Sequence, residues 1–331
     1  MRFYQERLFR TQVQFLRRQF LQDGELPFTD VLTESSIQQA MVDSGVIWKD
    51  RIYTPLVTLW VFLSQVLSAD HSCRAAVARL ITHRLAHGLK ACSSRTGAYC
   101  QARGRLPEKF FSTVACLVGR TLDSRVAPNW LWNGRRVYVF DGTTVTMPDT
   151  PENQEAYPQV YNQPQGLGFP IARLGVLTSL ACGAVVELGM CRYAGKGQSE
   201  QGMLHRMWDL FRPGDVLLTD RLLCSWMEIA TLKARGVDSV TRLNVNRTVD
   251  FRRGKRLGKG DHIVQWPKPV RRRTWDRTMY DALPDLLTVR ETRVLVERPG
   301  FRSRTIIVVT TLLDSDSVTS PDLAELYREV W

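Results

Sequence analysis

The chain has 331 residues and a formal net charge of +12, from 45 Lys and Arg against 33 Asp and Glu, with a pI near 9.6. That length allows two domains and a sizeable core, and 44% hydrophobic content is ordinary for a globular protein. The basic excess favours a polyanionic partner, nucleic acid ahead of an anionic membrane. The most apolar window, Tyr53–Ser68, contains Gln65 and is shorter than the roughly 20 residues a membrane span needs. The N-terminus, MRFYQERLFRTQ, lacks the apolar core of a signal peptide. The seven cysteines, at 73, 92, 100, 116, 182, 191 and 224, form no CxxC pair, and the five histidines do not stand at zinc-ligand spacing from them. Free thiols in a reducing cytosol are expected, not a disulfide framework or a zinc site.

In chain order, residues 1–125 read as helical. Arg2–Leu21 mixes Phe, Leu and Arg at helical spacing. Thr33–Ser36 can cap a helix through Val42, and Pro55 stands where the first turn of LVTLWVFLSQVL starts. Asp70 or Ser72 can cap CRAAVARLITHRLAHGL, with Ala76, Leu80, Ile81 and Leu85 on one face. Pro107–Leu122 is a further helix. A helical domain of this kind serves DNA recognition, dimerisation or plain structure; the basic charge tilts the reading to DNA.

From residue 126 the texture changes. Val137–Phe140 reads as a buried strand that stops at Asp141, ahead of Gly142, Thr143 and Thr144. Leu174–Ala181 and Ala184–Tyr193 are two more strands, with a tight turn at Cys182–Gly183. Ser199 starts a helix through Phe211, Pro213–Gly214 ends it, and a strand leads to Asp220. A helix over Ser225–Arg235 and the strand VDSVTRL follow. Three strands, a helix, a strand, a helix and a strand make a mixed α/β sheet. Next, Thr241–Tyr280 holds twelve Lys and Arg against three Asp, and Trp266 and Trp275 are interleaved. Strands over Leu287–Arg298 and Arg304–Leu313, turning at Pro299–Gly300, lead to a helix opened by Ser320–Pro321–Asp322. The glycines of AGKGQSEQG and GKRLGKG match no nucleotide-loop spacing and read as turns.

Two acids at the ends of apolar strands are costly unless paired or bound to a cation. Carboxylates are hard oxygen ligands suited to Mg²⁺ or Mn²⁺, and two such ions support in-line phosphoryl transfer. The basic segment suits phosphates, and its tryptophans suit unpaired bases. Bland alternatives stand beside these. Asp141 can stabilise a turn through Thr143 or Thr144, Asp220 can pair with Arg221, the basic run can be a solvated face, and the tryptophans can be core anchors.

Several blocks resemble the bacterial insertion-sequence DDE transposases, specifically the insertion sequence 4 group. They are FDGTTVTMPDTPENQ (Phe140–Gln154), GLGFPIARLGVL (Gly166–Leu177), PGDVLLTDR (Pro213–Arg221), DFRRGKRLGKGDHIVQWPKP (Asp250–Pro269), LTVRETRVLVERPGFRSR (Leu287–Arg304) and the helical RIYTPLVTLWVFLSQVLSADHSCR. The resemblance implies a ribonuclease H-like catalytic domain over 126–331, with a β-rich basic insertion at about 244–313, after an all-helical domain over 1–125. It implies cut-and-paste transposition, in which water and then a freed 3′-hydroxyl attack phosphodiesters at two Mg²⁺ or Mn²⁺ ions. Asp141 and Asp220 match the first two catalytic acids and metal ligands. DNA contacts are expected from Arg252, Arg253, Lys255, Arg256, Lys259, Lys268, Arg271, Arg272, Arg273 and Tyr327. The third acid belongs to a pattern of Tyr, then Arg three residues on, then Glu four further. Tyr327 matches its start, Val330 replaces the Arg, and the Glu falls beyond Trp331, so a C-terminally truncated product is expected. The implied partners are double-stranded DNA, as element ends and target, and a second copy of the chain in the DNA complex. The implied location is the bacterial cytoplasm, at the nucleoid. A ribonuclease H-like nuclease and an inactive DNA-binding remnant are the competing expectations.

Overall fold

A computed structural model describes residues 32–48, 52–162, 164, 166–296 and 304–330. The helix expected over Arg2–Leu21 and the turn at Pro299–Gly300 lie outside the described residues. The chain divides into two compact units, Met1–Thr121 and Leu122–Trp331.

The first unit contains helices α1 (Glu34–Ser44), α2 (Pro55–Leu67), α3 (Cys73–Ala86) and α4 (Gly97–Gly104), and most of α5 (Glu108–Ser124). Thr33, Thr54 and Ser72 each accept a hydrogen bond from the amide three residues on, which satisfies a donor the helix leaves open. Each such cap contributes about 1 kcal/mol. Ser72 is therefore the cap of α3, and Asp70 instead accepts from the Ser72 amide at 2.8 Å. Ala76, Val77 and Leu80 bury against Tyr53, Trp60, Val61 and Tyr99. Leu85 leaves the expected stripe and is 58% exposed, because the buried face runs through Val77 instead. Helix α4 is absent from the sequence reading; it is short and begins and ends at Gly, yet it buries Tyr99 and Ala102.

The second unit is mixed α/β. Its sheet has β1 (Val137–Thr146), β2 (Ile171–Ser179), β3 (Val185–Arg192), β4 (Val216–Thr219), β5 (Asp238–Arg242), β6 (Lys255–Gly258), β7 (Asp261–Pro267), β8 (Leu286–Val296) and β9 (Arg304–Thr310). Helices α6 (Pro151–Ala156), α7 (Glu200–Met207), α8 (Trp226–Ala234), α9 (Arg277–Asp281) and α10 (Ser320–Val330) bring the described helices to ten. The strand order is β3-β2-β1-β4-β5-β9-β8-β7-β6. Strand β1 is antiparallel to β2 and parallel to β4, β4 is parallel to β5, and β5 is antiparallel to β9. The strands of the basic segment thus extend the same sheet.

Side chains alternate across the sheet. Tyr138, Phe140 and Leu217 pack with Met203, Leu204 and Met207 of α7 on one face. Val137, Val216, Leu218 and Val240 pack with Leu323, Leu326 and Tyr327 of α10 on the other. Strand β1 is longer than expected. Beyond Val139 its parallel neighbour ends, but β2 continues to pair with it as far as Thr146 opposite Ile171, so the chain stays extended through Asp141 and Gly142. Asp141 therefore lies in mid-strand, and no turn at Thr143 or Thr144 forms.

Across β7 and β8 the fold buries an ion pair. Arg290 is fully buried, and its Nε donates to Asp261 Oδ1 at 2.8 Å while its Nη1 donates to the Val318 carbonyl. Removing one partner strands the other charge in the core. Asp261→Ala is expected to cost about 3–5 kcal/mol in urea unfolding; a loss below about 1 kcal/mol would contradict the pairing described.

Candidate active site

The parallel register of β1 on β4 sets Val137 opposite Val216, Tyr138 opposite Leu217 and Val139 opposite Leu218. Two further steps along both chains reach Asp141 and Asp220. Asp141 follows Val137 and Val139 by even steps, and Asp220 follows Val216 and Leu218 in the same way. Alternation therefore directs both carboxylates to the α10 face. Asp141 thus sits inside β1, past the last residue that pairs with β4, and Asp220 is the first residue after β4.

The two differ in setting. Asp141 is exposed, and its Oδ1 accepts from the Gly142 amide at 2.8 Å. Asp220 is half-buried at the strand exit, where its Oδ1 accepts from the Leu222 amide at 2.8 Å. Thr241 Oγ1 donates to the Asp220 carbonyl at 2.8 Å, which ties the exit to β5. Among the described residues neither acid makes an ion pair, so Asp220 does not pair with Arg221. Tyr327 of helix α10 lies near Asp220. The Tyr327 phenol is raised well above its ordinary pKa by burial first and by the Asp220 charge second, with Arg242 opposing. Tyr327, expected at DNA, is only 4% exposed and belongs to the core under α10. Arg242, counted in the sequence only as one of the twelve cations of the basic segment, closes β5. The β4–β5 register ends at Thr219 opposite Thr241, and the next residues, Asp220 and Arg242, both act on the Tyr327 phenol.

Two carboxylates on one face, each with an oxygen left open, fit a hard divalent ion that keeps water and phosphate among its ligands. Among the described residues no group of three or more His, Cys, Asp or Glu gathers as a metal cage. Glu200 does not extend the pair. It lies on the α7 face against Gly142 and pairs with Arg173 at 3.0 Å. Glu325 is exposed and sits 3.7 Å from Arg328.

The basic segment divides in two. Arg252, Arg253, Lys255, Arg256 and Lys259 are exposed on and around the β6–β7 hairpin. Asp250 holds two of them, Arg252 at 2.9 and 3.2 Å and Arg253 at 3.5 Å. Arg252's hydrogen bonds lower the Asp250 carboxyl to about 2. Farther on, the cations serve the fold. Lys268 donates to the Leu283 carbonyl at 2.6 Å and lies 4.4 Å from the Tyr280 ring centre. Arg271 donates to the Trp275 carbonyl at 2.6 Å, and Arg272 lies over the Trp275 ring, while Arg273 is exposed. Trp266 is a core residue, 5% exposed; its indole donates to Glu291 at 2.8 Å, and Arg247 covers its ring at 3.7 Å. Of the two expectations for this residue, base stacking and core anchoring, the packing fits the core anchor. Trp275 stacks on Tyr280 and is half-buried.

The chain is similar to a transposase. It is 21% identical over 304 residues to the transposase InsG for insertion sequence element IS4 of Escherichia coli (strain K12). The match covers 91% of this chain and 65% of that protein, so the chain spans less than two thirds of the length of the relative it matches. No protein-family model matches the chain. The similarity runs over most of the chain.

Gly142 explains itself through close approach. A Cβ there would stand 2.5 Å from Glu200 Cγ. Gly142→Ala is expected to push Glu200 off Arg173 and lower stability by about 1–3 kcal/mol, measured by urea unfolding; a neutral result would contradict the packing of α7 on β1.

Proposed function

We propose that the chain is a DNA transposase of the cut-and-paste DDE type, built on a ribonuclease H-like sheet, with Asp141 and Asp220 as two of its metal ligands. The observation that carries this is the parallel register of β1 on β4, in which two apolar runs that each lead to an acid pair residue for residue. The central order β3-β2-β1-β4-β5 and the similarity to transposase InsG support it. Mg²⁺ or Mn²⁺, two ions in the complete site, would supply activation of the attacking oxygen and stabilisation of the leaving one. The chain's own contribution is rigidity and charge. The sheet fixes both carboxylates, the Thr241 hydroxyl fixes the exit at Asp220, and the β6–β7 hairpin neutralises phosphate. Double-stranded DNA is the proposed partner, as element ends and as target, with a second copy of the chain in the complex at the nucleoid. No described helix is long and apolar enough to cross a membrane.

A second reading, DNA binding without catalysis, is favoured by one observation: no third carboxylate joins the pair among the described residues. One experiment separates the two. DNA carrying the ends of the encoding element is incubated with the chain in EDTA and in Mn²⁺. Binding is expected in both. Cleavage in Mn²⁺ that Asp141→Ala and Asp220→Ala each abolish supports transposition chemistry, and binding without cleavage supports the second reading. Cleavage that persists in both variants overturns the assignment of the acids.

Charge in the hairpin sets the affinity. Replacing Lys255, Arg256 and Lys259 with Gln is expected to flatten the dependence of log K on log salt by about 0.9 for each phosphate no longer neutralised. Asp250→Asn is expected to act oppositely, because it frees Arg252 and Arg253 for phosphate and tightens binding. Equal salt slopes in all three proteins, measured by fluorescence anisotropy, would remove the hairpin from the interface.

A further inference from the structure

The first unit brings two cysteines together from separate helices. Cys73 is the first residue of α3, and Cys100 lies within α4. Their sulfurs are 3.9 Å apart. Cys73 is half-buried and Cys100 exposed, so both are reachable from solvent. Two features mark Cys73. It occupies the positive end of the α3 dipole, and its sulfur accepts from Gln65 Nε2 at 3.5 Å. Gln65 is itself held. Its Oε1 accepts from the Tyr99 hydroxyl at 2.7 Å and from Arg103 at 3.2 Å, and its amide also donates to the His71 carbonyl at 2.7 Å. The donor at the sulfur, on α2, is therefore fixed by α4 and by the segment that leads into α3.

We propose that Cys73 and Cys100 form an oxidative modification site, in which a peroxide converts the thiol pair to an intramolecular disulfide that joins α3 to α4. Cys73 attacks a peroxide oxygen; the O–O bond breaks, the sulfur becomes a sulfenic acid, and the leaving oxygen departs as water. The Cys100 thiol then attacks that sulfur. An S–S bond forms, the S–O bond breaks, and a second water carries off the thiol proton. Two thiols are oxidised and one peroxide is reduced. The sulfurs must close from 3.9 Å to the disulfide length of about 2.05 Å, a shift within reach of side-chain rotation on helices already in contact.

The division of roles follows from the surroundings. Desolvation and then the neighbouring Cys73 sulfur raise the Cys100 thiol above its ordinary value, so Cys100 is the protonated resolving partner. Cys73, with its amide donor and helix position, is the attacking one. The other cysteines differ. Cys116, Cys191 and Cys224 are buried, and burial pushes the Cys224 thiol up to about 11. Cys92 and Cys182 are half-buried, and Cys92, packed against the cluster that holds Tyr53, is the competitor within the first unit.

The test treats the reduced full chain with hydrogen peroxide, blocks remaining thiols, and maps non-reduced peptides by mass spectrometry. The expected result is one bridge, Cys73 to Cys100, with two of the seven thiols consumed and both restored by dithiothreitol. In Cys100→Ser the sulfenic acid on Cys73 is expected to be trapped by dimedone. In Cys73→Ser thiol consumption is expected to slow at least tenfold. A bridge through Cys92, disulfide-linked dimers, or irreversible oxidation of Cys73 without a bridge would each overturn the proposal. The unsubstituted chain alone decides the pairing, so misfolding of a variant leaves the test intact.

Discussion

The parallel pairing of β1 with β4 is the interaction on which the position of both acids depends. It joins segments 79 residues apart, with Val137 opposite Val216 and Val139 opposite Leu218. A slip by one residue would send Asp220 to the α7 face, because side chains alternate with a period of two. The register is held by what alternates with the acids. Val216 and Leu218 are fully buried under α10, while Tyr138, Phe140 and Leu217 fill the opposite core. Burying each of these aliphatic side chains contributes about 1.5–3 kcal/mol, and a shifted register would misplace the whole set. The apolar residues that make the strand thus also aim the carboxylates.

Two further constraints sharpen the site. Helix α10 packs on the face of the sheet formed by Val137, Val216 and Leu218, with Tyr327 near Asp220. On the reverse face Gly142 admits Glu200 and the start of α7, which explains the missing side chain next to Asp141. Strand β5 ends at Arg242, which acts with Asp220 on the Tyr327 phenol. Asp141 lies in β1, Asp220 directly after β4 and Arg242 at the end of β5, three consecutive strands of the sheet order.

Much of this was legible in the sequence. The strand runs VYVF and VLLT, each followed by Asp, announced the acids, and Thr, Ser and Pro announced most helix starts. The rest depends on contacts between distant segments. The length of β1 past Asp141 is set by β2, and nothing local in DGTT marks it as extended. The basic segment read as one uniform patch, yet Lys268, Arg271 and Arg272 each touch a carbonyl or an aromatic ring of the fold, while Lys255 and Arg256 are exposed on the β6–β7 hairpin. Trp266 and Tyr327 carry residue types that suit nucleic acid, and only tertiary packing reveals both as core. The cysteine pair was invisible for the same reason, since 27 residues separate Cys73 from Cys100.

The central claim is that Asp141 and Asp220 act on one ion. Mn²⁺ titration followed by electron paramagnetic resonance, on the wild type, Asp141→Asn, Asp220→Asn and the double variant, tests it most directly. A shared site predicts that each single substitution removes most of the binding and that the double variant loses little more, because residues serving one ligand are not additive. Wild-type affinity in either single variant, or losses that simply add, would contradict it.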